Sequence, residues 1–180
     1  KLDNVDYATF IELPGSASSL SPGVSAKEIF DDGEQLLDAC EELGLSIGAV
    51  MAVREARLTG EAHAVAAMRR VLEVMREETT APIANPQRSL GGLIGGEAKL
   101  VEATGRNDLS ESLMGAVQTD AVARSMAVLE RSATMGVIVA APTAGSAGVV
   151  PGCVLALADR LQLDDEQVMD ALYCAAAIGL

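Results

Sequence analysis

Apolar positions along this chain recur mostly three and four residues apart, the spacing of one face of an α-helix. Ile29, Leu36, Leu37, Cys40 and Leu43 form such a set. Ser25 followed by Glu28 has the form of a capping box, in which serine accepts the N3 amide and glutamate reaches back. Gly44 supplies the stop. A second helix is predicted from Ser46 to about Thr59, and a third from Glu61 to about Glu78. The third carries a solvated face of Arg69, Arg70, Glu73, Arg76 and Glu77, with opposite charges at helical spacing. Ser110 to about Met135 is a long helical stretch with an apolar face of Leu113, Val117, Ala121, Met126 and Leu129. Pro151 to about Gln162 reads as a helix opened by proline, whose fixed φ suits a first turn. Asp164, Asp165 and Glu166 then load negative charge onto the start of a last helix over residues 166–180.

Three segments break this pattern. Val5 to Leu13 is a β-like run, and residues 14–24, PGSASSLSPGV, have the composition of a flexible linker. Residues 79–100 hold two prolines and the pairs Gly91-Gly92 and Gly95-Gly96. Glycines that dense serve geometry. They read either as a plain inter-helix loop or as a loop whose amides face an anion, ahead of a helix carrying Lys99. The third break is VAAPTAGSAGVVPG, residues 139–152, where the apolar run Val137–Ala141 meets proline and then the smallest side chains. Small residues allow close approach of a ligand or of a second backbone. In the first case Gly145 and Gly148 turn amides inward as a nest, Thr143 and Ser146 add hydroxyls, and the following helix contributes its positive end. The natural ligand is then a carboxylate, and Gly148→Val should damage binding more than folding. Tight helix–helix packing is the competing reading.

Composition narrows the class. Hydrophobic residues make up 49% and aromatics 2%, so the core is aliphatic and methionine, which favours close-packed helices. A net charge of −13 excludes a basic nucleic-acid footprint and an attraction to anionic membrane surfaces. No apolar run is long enough to span a bilayer, and KLDNVDYATF carries no signal-peptide pattern, so a cytoplasmic setting is expected. Cys40, Cys153 and Cys174 form no C-x-x-C pair, sit in apolar helical contexts and read as small buried hydrophobes, so no metal site is expected on them. His63 has no partner at ligand spacing and reads as a structural or surface residue. The last helix ends in ALYCAAAIGL, apolar all round, which predicts that further protein covers it and that the chain is incomplete at that end.

VAAPTAGSAGVVPG, preceded by SATMG and by SLGGLIGGEAKL, strongly resembles the alpha domain of iron–sulfur-dependent L-serine dehydratases, over roughly Ser25 to Leu180. Residues 1–13 resemble the tail of a preceding ACT-like or beta domain, with 14–24 as linker and 25–180 as alpha domain. The resemblance implies an all-α domain, with one short strand near the N-terminus, that takes part in β-elimination of water from L-serine to give pyruvate and ammonia. It implies a [4Fe–4S] cluster in the complete enzyme, a beta domain or beta chain as partner, and a homo-oligomer. The Gly-Gly-Cys, Cys-Asp-Pro and Pro-Cys motifs that hold the family's cluster match no cysteine here, and no cluster is expected on this piece. The Ser-His-Thr element of the beta domain is also absent, and His63 does not stand for it. Ser132 replaces the asparagine of the related Asn-Ala-x-Met-Gly. The expected carboxylate site comprises Thr143, Gly145, Ser146 and Gly148, with Ser89, Gly95, Gly96 and Lys99 contributing. A related L-cysteine desulfidase and a non-catalytic helical packing module are the alternatives.

Overall fold

The periodic apolar faces fold as helices. The structure, a computed structural model, describes residues 10–12, 29–106, 114–141, 143 and 145–180. Its elements run β1 (Phe10–Glu12), α1 (Gly33–Leu43), α2 (Ile47–Thr59), α3 (Glu61–Ala84), α4 (Glu97–Arg106), α5 (Gly115–Ala133), β2 (Ile138–Ala140), α6 (Ser146–Leu161) and α7 (Asp165–Gly179). The two short strands pair with each other, and the all-α class expected from the sequence holds. Among the described residues no helix is long and apolar enough to cross a membrane. The chain divides into two compact units.

One unit holds α1, α2, the first half of α3, and α7. Its helix ends are set by local chemistry. Asp32 caps α1 by accepting from the Gln35 amide, and Ser46 caps α2 by accepting from the Ala49 amide at 3.1 Å. Asp164 and Gln167 form a reciprocal capping box at the start of α7. α2 packs on α7 with Gly48 at the contact. A Cβ there would lie 2.5 Å from Asp170 Oδ1 and closer still to the Asp170 carbonyl, so only glycine fits. Val50, Met51, Met68, Val168 and Leu172 are fully buried, the aliphatic and methionine core that the composition demands. Tyr173, its one buried aromatic hydroxyl, donates to the Ala64 carbonyl at 3.1 Å, and burial pushes its phenol up to about 12.

The other unit holds the second half of α3, then α4, α5, β2 and α6. α5 packs on α4 and on α6. Its buried face is Ala123, Ala127 and Val128, whereas Met126 is only half-buried and Leu129 is 57% exposed. The predicted apolar stripe is thus rotated away from the core; Leu113, its first member, lies outside the described residues. Small side chains were hidden in the pattern, because Ala123 and Ala127 weigh little in a search for large apolar residues. Where α5 meets α6, at Ala121 and Ser125, the facing residues are smaller still. A Cβ on Gly148 would lie 2.8 Å from the Ser125 carbonyl oxygen. A Cβ on Gly152 would lie 2.8 Å from the Ala121 carbonyl and would collide with Ser125 Oγ. Small residues four apart on α6 therefore let two backbones approach closely. On the same faces Arg124 bridges Asp120 of α5 to Asp159 of α6.

Element boundaries differ from the predicted ones where proline was over-read. α3 runs past Glu78 to Ala84 with Pro82 inside it. Proline removes one amide, which would have met the Glu78 carbonyl, but the helix survives. Thr79 and Thr80 turn their hydroxyls back onto the Met75 and Arg76 carbonyls, at 2.7 and 2.6 Å. α6 starts at Ser146, five residues before Pro151, because Gly145 rather than proline ends the loop. α1 starts at Gly33 under its Asp32 cap, so Ile29 and Phe30 precede it. The Ser25–Glu28 capping box, the linker at 14–24 and residues 1–9 lie outside the described residues.

Candidate functional site

The Thr143–Gly148 loop follows directly from β2. Gly145 is the N-cap of α6 in a left-handed conformation, φ 86°, and a Cβ there would meet open space. Backbone conformation, not crowding, therefore selects glycine at this position. Ser146 closes the loop on itself: its hydroxyl accepts from the Thr143 amide at 3.0 Å and donates to the Thr143 carbonyl. The Gly148 amide donates to the Gly145 carbonyl at 3.1 Å, while its α-carbon faces Ser125. Gly148 therefore packs on α5, and because the first carbon added by Gly148→Val would meet backbone, that variant is expected to cost folding as well as binding. What the loop offers a ligand is the Thr143 hydroxyl and the positive start of α6.

An open, mostly apolar groove of about 550 Å³ begins at this loop. Gly145, Gly148 and Cys153 line one side, and Ala121, Met126, Leu129 and Ser132 of α5 line the other. Ala121, Met126 and Leu129 of the predicted apolar face of α5 thus wall this groove, and Ser132 lies in the same wall.

The second glycine-rich segment is built differently. Ser89 and Ile94 clasp a short loop: the Ser89 amide donates to the Ile94 carbonyl at 2.8 Å, and the Ile94 amide donates to the Ser89 hydroxyl at 3.2 Å. Gly95 has no room for a side chain, since a Cβ would lie 2.9 Å from the Arg88 α-carbon and closer to the Gln87 carbonyl. The amides beyond it do face carboxylates, but the protein's own. Gly95 donates to Glu97 at 2.7 Å, which holds the half-buried Glu97 carboxyl below its usual range. Gly96 donates to Glu130 Oε2 at 3.0 Å, and Ala98 to Glu130 Oε1 at 2.7 Å. Glu130, 2% exposed on α5, therefore caps α4 across the helix pair. Lys99 is exposed on α4. Of the predicted residues the groove gathers Gly145 and Gly148; Thr143, Ser146, Ser89, Gly95, Gly96 and Lys99 do not line it. Sequence reading missed Glu130. The signal was its place at i+3 from Ala127 and i+7 from Ala123, a charge on an otherwise small, apolar face.

A second buried acid sits behind the loop. Glu78 is fully buried, and its Oε2 accepts from the Val139 amide of β2 at 2.8 Å. Its Oε1 is buried with no hydrogen-bond partner among the described residues. Burial pushes this carboxyl up to about 8, against the pull of the Val139 amide and Arg131 and with a push from Glu77. A raised carboxyl pKa means that the folded chain holds a proton the unfolded chain has lost. Its stabilising contribution is full below the ordinary value of 4.5 and is lost as pH rises through about 8. Thermal melts at pH 6 and pH 9 should therefore show a lower midpoint at pH 9, by several degrees more in the wild type than in Glu78→Gln. Equal pH dependence in the two proteins would contradict a neutral Glu78.

The cysteines are not the buried residues expected from their apolar contexts: Cys40 and Cys174, in the α1/α2/α7 unit, are half-buried, and Cys153 is exposed on α6, where it lines the groove. Burial raises the Cys174 thiol pKa. No three His, Cys, Asp or Glu side chains among the described residues converge in a metal-holding group. The sequence profile of the serine dehydratase alpha chain family matches residues 42–180. The chain belongs to that family. It is 32% identical over 160 residues to a probable L-serine dehydratase alpha chain of Bacillus subtilis, covering 84% of this chain and 50% of that protein. It is 26% identical over 153 residues to the L-serine dehydratase alpha chain of Peptoniphilus asaccharolyticus, covering 84% and 52%. A 64-residue stretch is 41% identical to the probable alpha chain of Latilactobacillus sakei, covering 36% of this chain and 31% of that one. The chain thus spans about half the length of the Bacillus subtilis and Peptoniphilus asaccharolyticus relatives. No solved structure matches it. The three cysteines do not fit an iron–sulfur cluster, since among the described residues none of them stands with two other metal-ligating side chains.

Proposed function

We propose that this chain forms part of the alpha domain of an L-serine dehydratase, which eliminates water from L-serine to give pyruvate and ammonia. The observation that carries this is the family match over residues 42–180. Elimination requires removal of the α-proton and departure of hydroxide, a poor leaving group. The [4Fe–4S] cluster and the base that these steps call for belong, in this reading, to parts of the enzyme other than this chain. A beta domain or beta chain is the partner, in a homo-oligomeric, cytoplasmic enzyme. Residues 1–13 are the tail of a preceding domain and 14–24 a linker.

The role of this chain is to hold the substrate. A carboxylate fits the start of α6, where the helix dipole is positive and the Thr143 hydroxyl, the Gly145 turn and the Ser146-closed loop stand together. Ser132 lines the groove that begins at Gly145. Gly148 and Gly152 keep α6 against α5 and so hold the loop in place. Ser89, Gly95, Gly96 and Lys99 act as a frame: the Glu130 carboxylate fixes that segment from α5. Fixing the carboxylate orients the α-proton and the hydroxyl for the groups that act on them.

The test is the complete enzyme, assayed in parallel with L-serine for pyruvate and with L-cysteine for sulfide. Pyruvate from L-serine at the higher kcat/KM supports the dehydratase. Sulfide as the favoured product would make the enzyme a desulfidase. No turnover of either amino acid in an enzyme with full iron content would leave a packing role alone.

A further inference from the structure

A second cavity lies on the other side of the last turn of α5. It measures about 120 Å³ and is lined by Ala81, Pro82 and Asn85 at the end of α3, Gln87 beyond it, and Glu130, Arg131 and Thr134 at the end of α5. A water occupies roughly 30 Å³ of liquid, so the space suits about four waters or one small amino acid. Its walls carry both signs of charge. Glu130 is 2% exposed, and each of its oxygens already accepts one amide, from Gly96 and from Ala98. A carboxylate oxygen has two lone-pair sites, so each retains capacity for a further donor. The cavity also sits at the C-terminal ends of α3 and α5, the negative ends of their helix dipoles.

Beside Glu130 on the same helix, Arg131 also lines the cavity. Its Nη2 donates to Glu77 Oε1 at 2.9 Å, which leaves donors on a planar group that has five. Its Nε is buried without a hydrogen-bond partner among the described residues. The position of this side chain is built in: a Cβ on Gly136 would lie 2.9 Å from Arg131 Cγ and would overlap Cδ and Nε. Gly136 thus gives up its side chain to the arginine stem. The Asn85 and Gln87 amides and the Thr134 hydroxyl complete a rim able to donate and accept.

We infer that this cavity binds a small zwitterionic amino acid, its ammonium toward Glu130 and the helix ends and its carboxylate toward Arg131 and the Asn85 and Gln87 amides. The site is distinct from the Thr143–Gly148 loop and does not depend on the substrate reading of that loop.

The test is an amide-resolved NMR titration of the purified 180-residue chain with L-serine, glycine, acetate and ethylamine. L-Serine and glycine should produce saturable shifts at Gln87, Ala98 and Thr134, while acetate and ethylamine, each with one charge, should bind at least tenfold more weakly. Arg131→Gln should weaken the zwitterions at least tenfold, and Asn85→Leu, an exposed position that fills the mouth, should do the same without touching the Glu77 pair. Ser146→Ala should leave these shifts unchanged. Absence of saturable shifts at the cavity, equal binding of acetate or ethylamine, or persistence of binding in both cavity variants would each overturn the inference. Shifts confined to residues 143–148 and lost in Ser146→Ala would overturn it while supporting the loop as the carboxylate site.

Discussion

Gly152→Val is expected to lower the stability of the chain by about 3 kcal/mol, at the upper end of overpacking penalties. The added Cβ has no free direction. It lies 2.8 Å from the Ala121 carbonyl and against Ser125 Oγ, so α5 and α6 must part or the backbone must bend. Backbone cannot swing aside as a flexible side-chain end can. Separation of α6 from α5 also exposes Leu155 and Ala156, each 2% accessible at present. For a domain of this size the loss corresponds to roughly 6–12 °C in Tm. Gly145→Ala is the internal control: its Cβ meets open space, so it bears only the backbone term of about 1–2 kcal/mol for a left-handed residue. Urea or thermal melts of the two variants should rank them in that order. A Gly152→Val protein as stable as wild type would remove close helix approach as the reason for small residues here.

Glu130→Ala should destabilise by about 2–5 kcal/mol. The carboxylate is the acceptor for two amides at the start of α4, and a buried donor left unpaired costs about 1–3 kcal/mol. Removing the acid also takes a negative charge from the positive end of that helix. Glu130→Gln keeps one acceptor oxygen and should fall between alanine and wild type. Hydrogen exchange at the Gly96 and Ala98 amides reports the effect directly: both should lose protection in Glu130→Ala, while the Val139 amide, held by Glu78, keeps its own. Unchanged exchange at Gly96 and Ala98 would contradict the cross-helix cap.

What could be read from the sequence followed from periodicity and capping chemistry. Ser46, Gly44 and Asp164 mark helix ends by side-chain oxygens or a left-handed turn, both local properties, and the structure places the ends there. The helices over 47–59 and the last stretch were legible for the same reason. The misplaced boundaries centre on proline. Pro82 and Pro151 both lie inside helices despite the lost amide: Thr79 and Thr80 hydroxyls turn back onto carbonyls of α3, and Gly145 opens α6 ahead of Pro151. The dual use of the small residues at 143–152 could not be separated in one dimension, since a glycine that admits a ligand and a glycine that admits a helix look the same. The structure divides them: Gly145 for a turn, Gly148 and Gly152 for α5. The roles of Glu78 and Glu130 were hidden because a glutamate in a helix usually reads as solvated. Only their spacing from Met75 and Ala127 on buried faces distinguishes them. β2 was visible as an apolar run, but its pairing with β1, more than a hundred residues earlier, is a long-range fact.

The central claim is that the loop between β2 and α6 holds the carboxylate of the substrate. The most direct measurement is kcat/KM for L-serine in the complete enzyme carrying Thr143→Val, an exposed position whose methyl-for-hydroxyl exchange leaves the helix pair untouched. A hydrogen bond to a charged group contributes about 1.5–3 kcal/mol, so kcat/KM should fall roughly 10- to 150-fold with Tm unchanged. Wild-type kcat/KM in a fully folded Thr143→Val enzyme would contradict the claim and leave the loop as a helix-packing element.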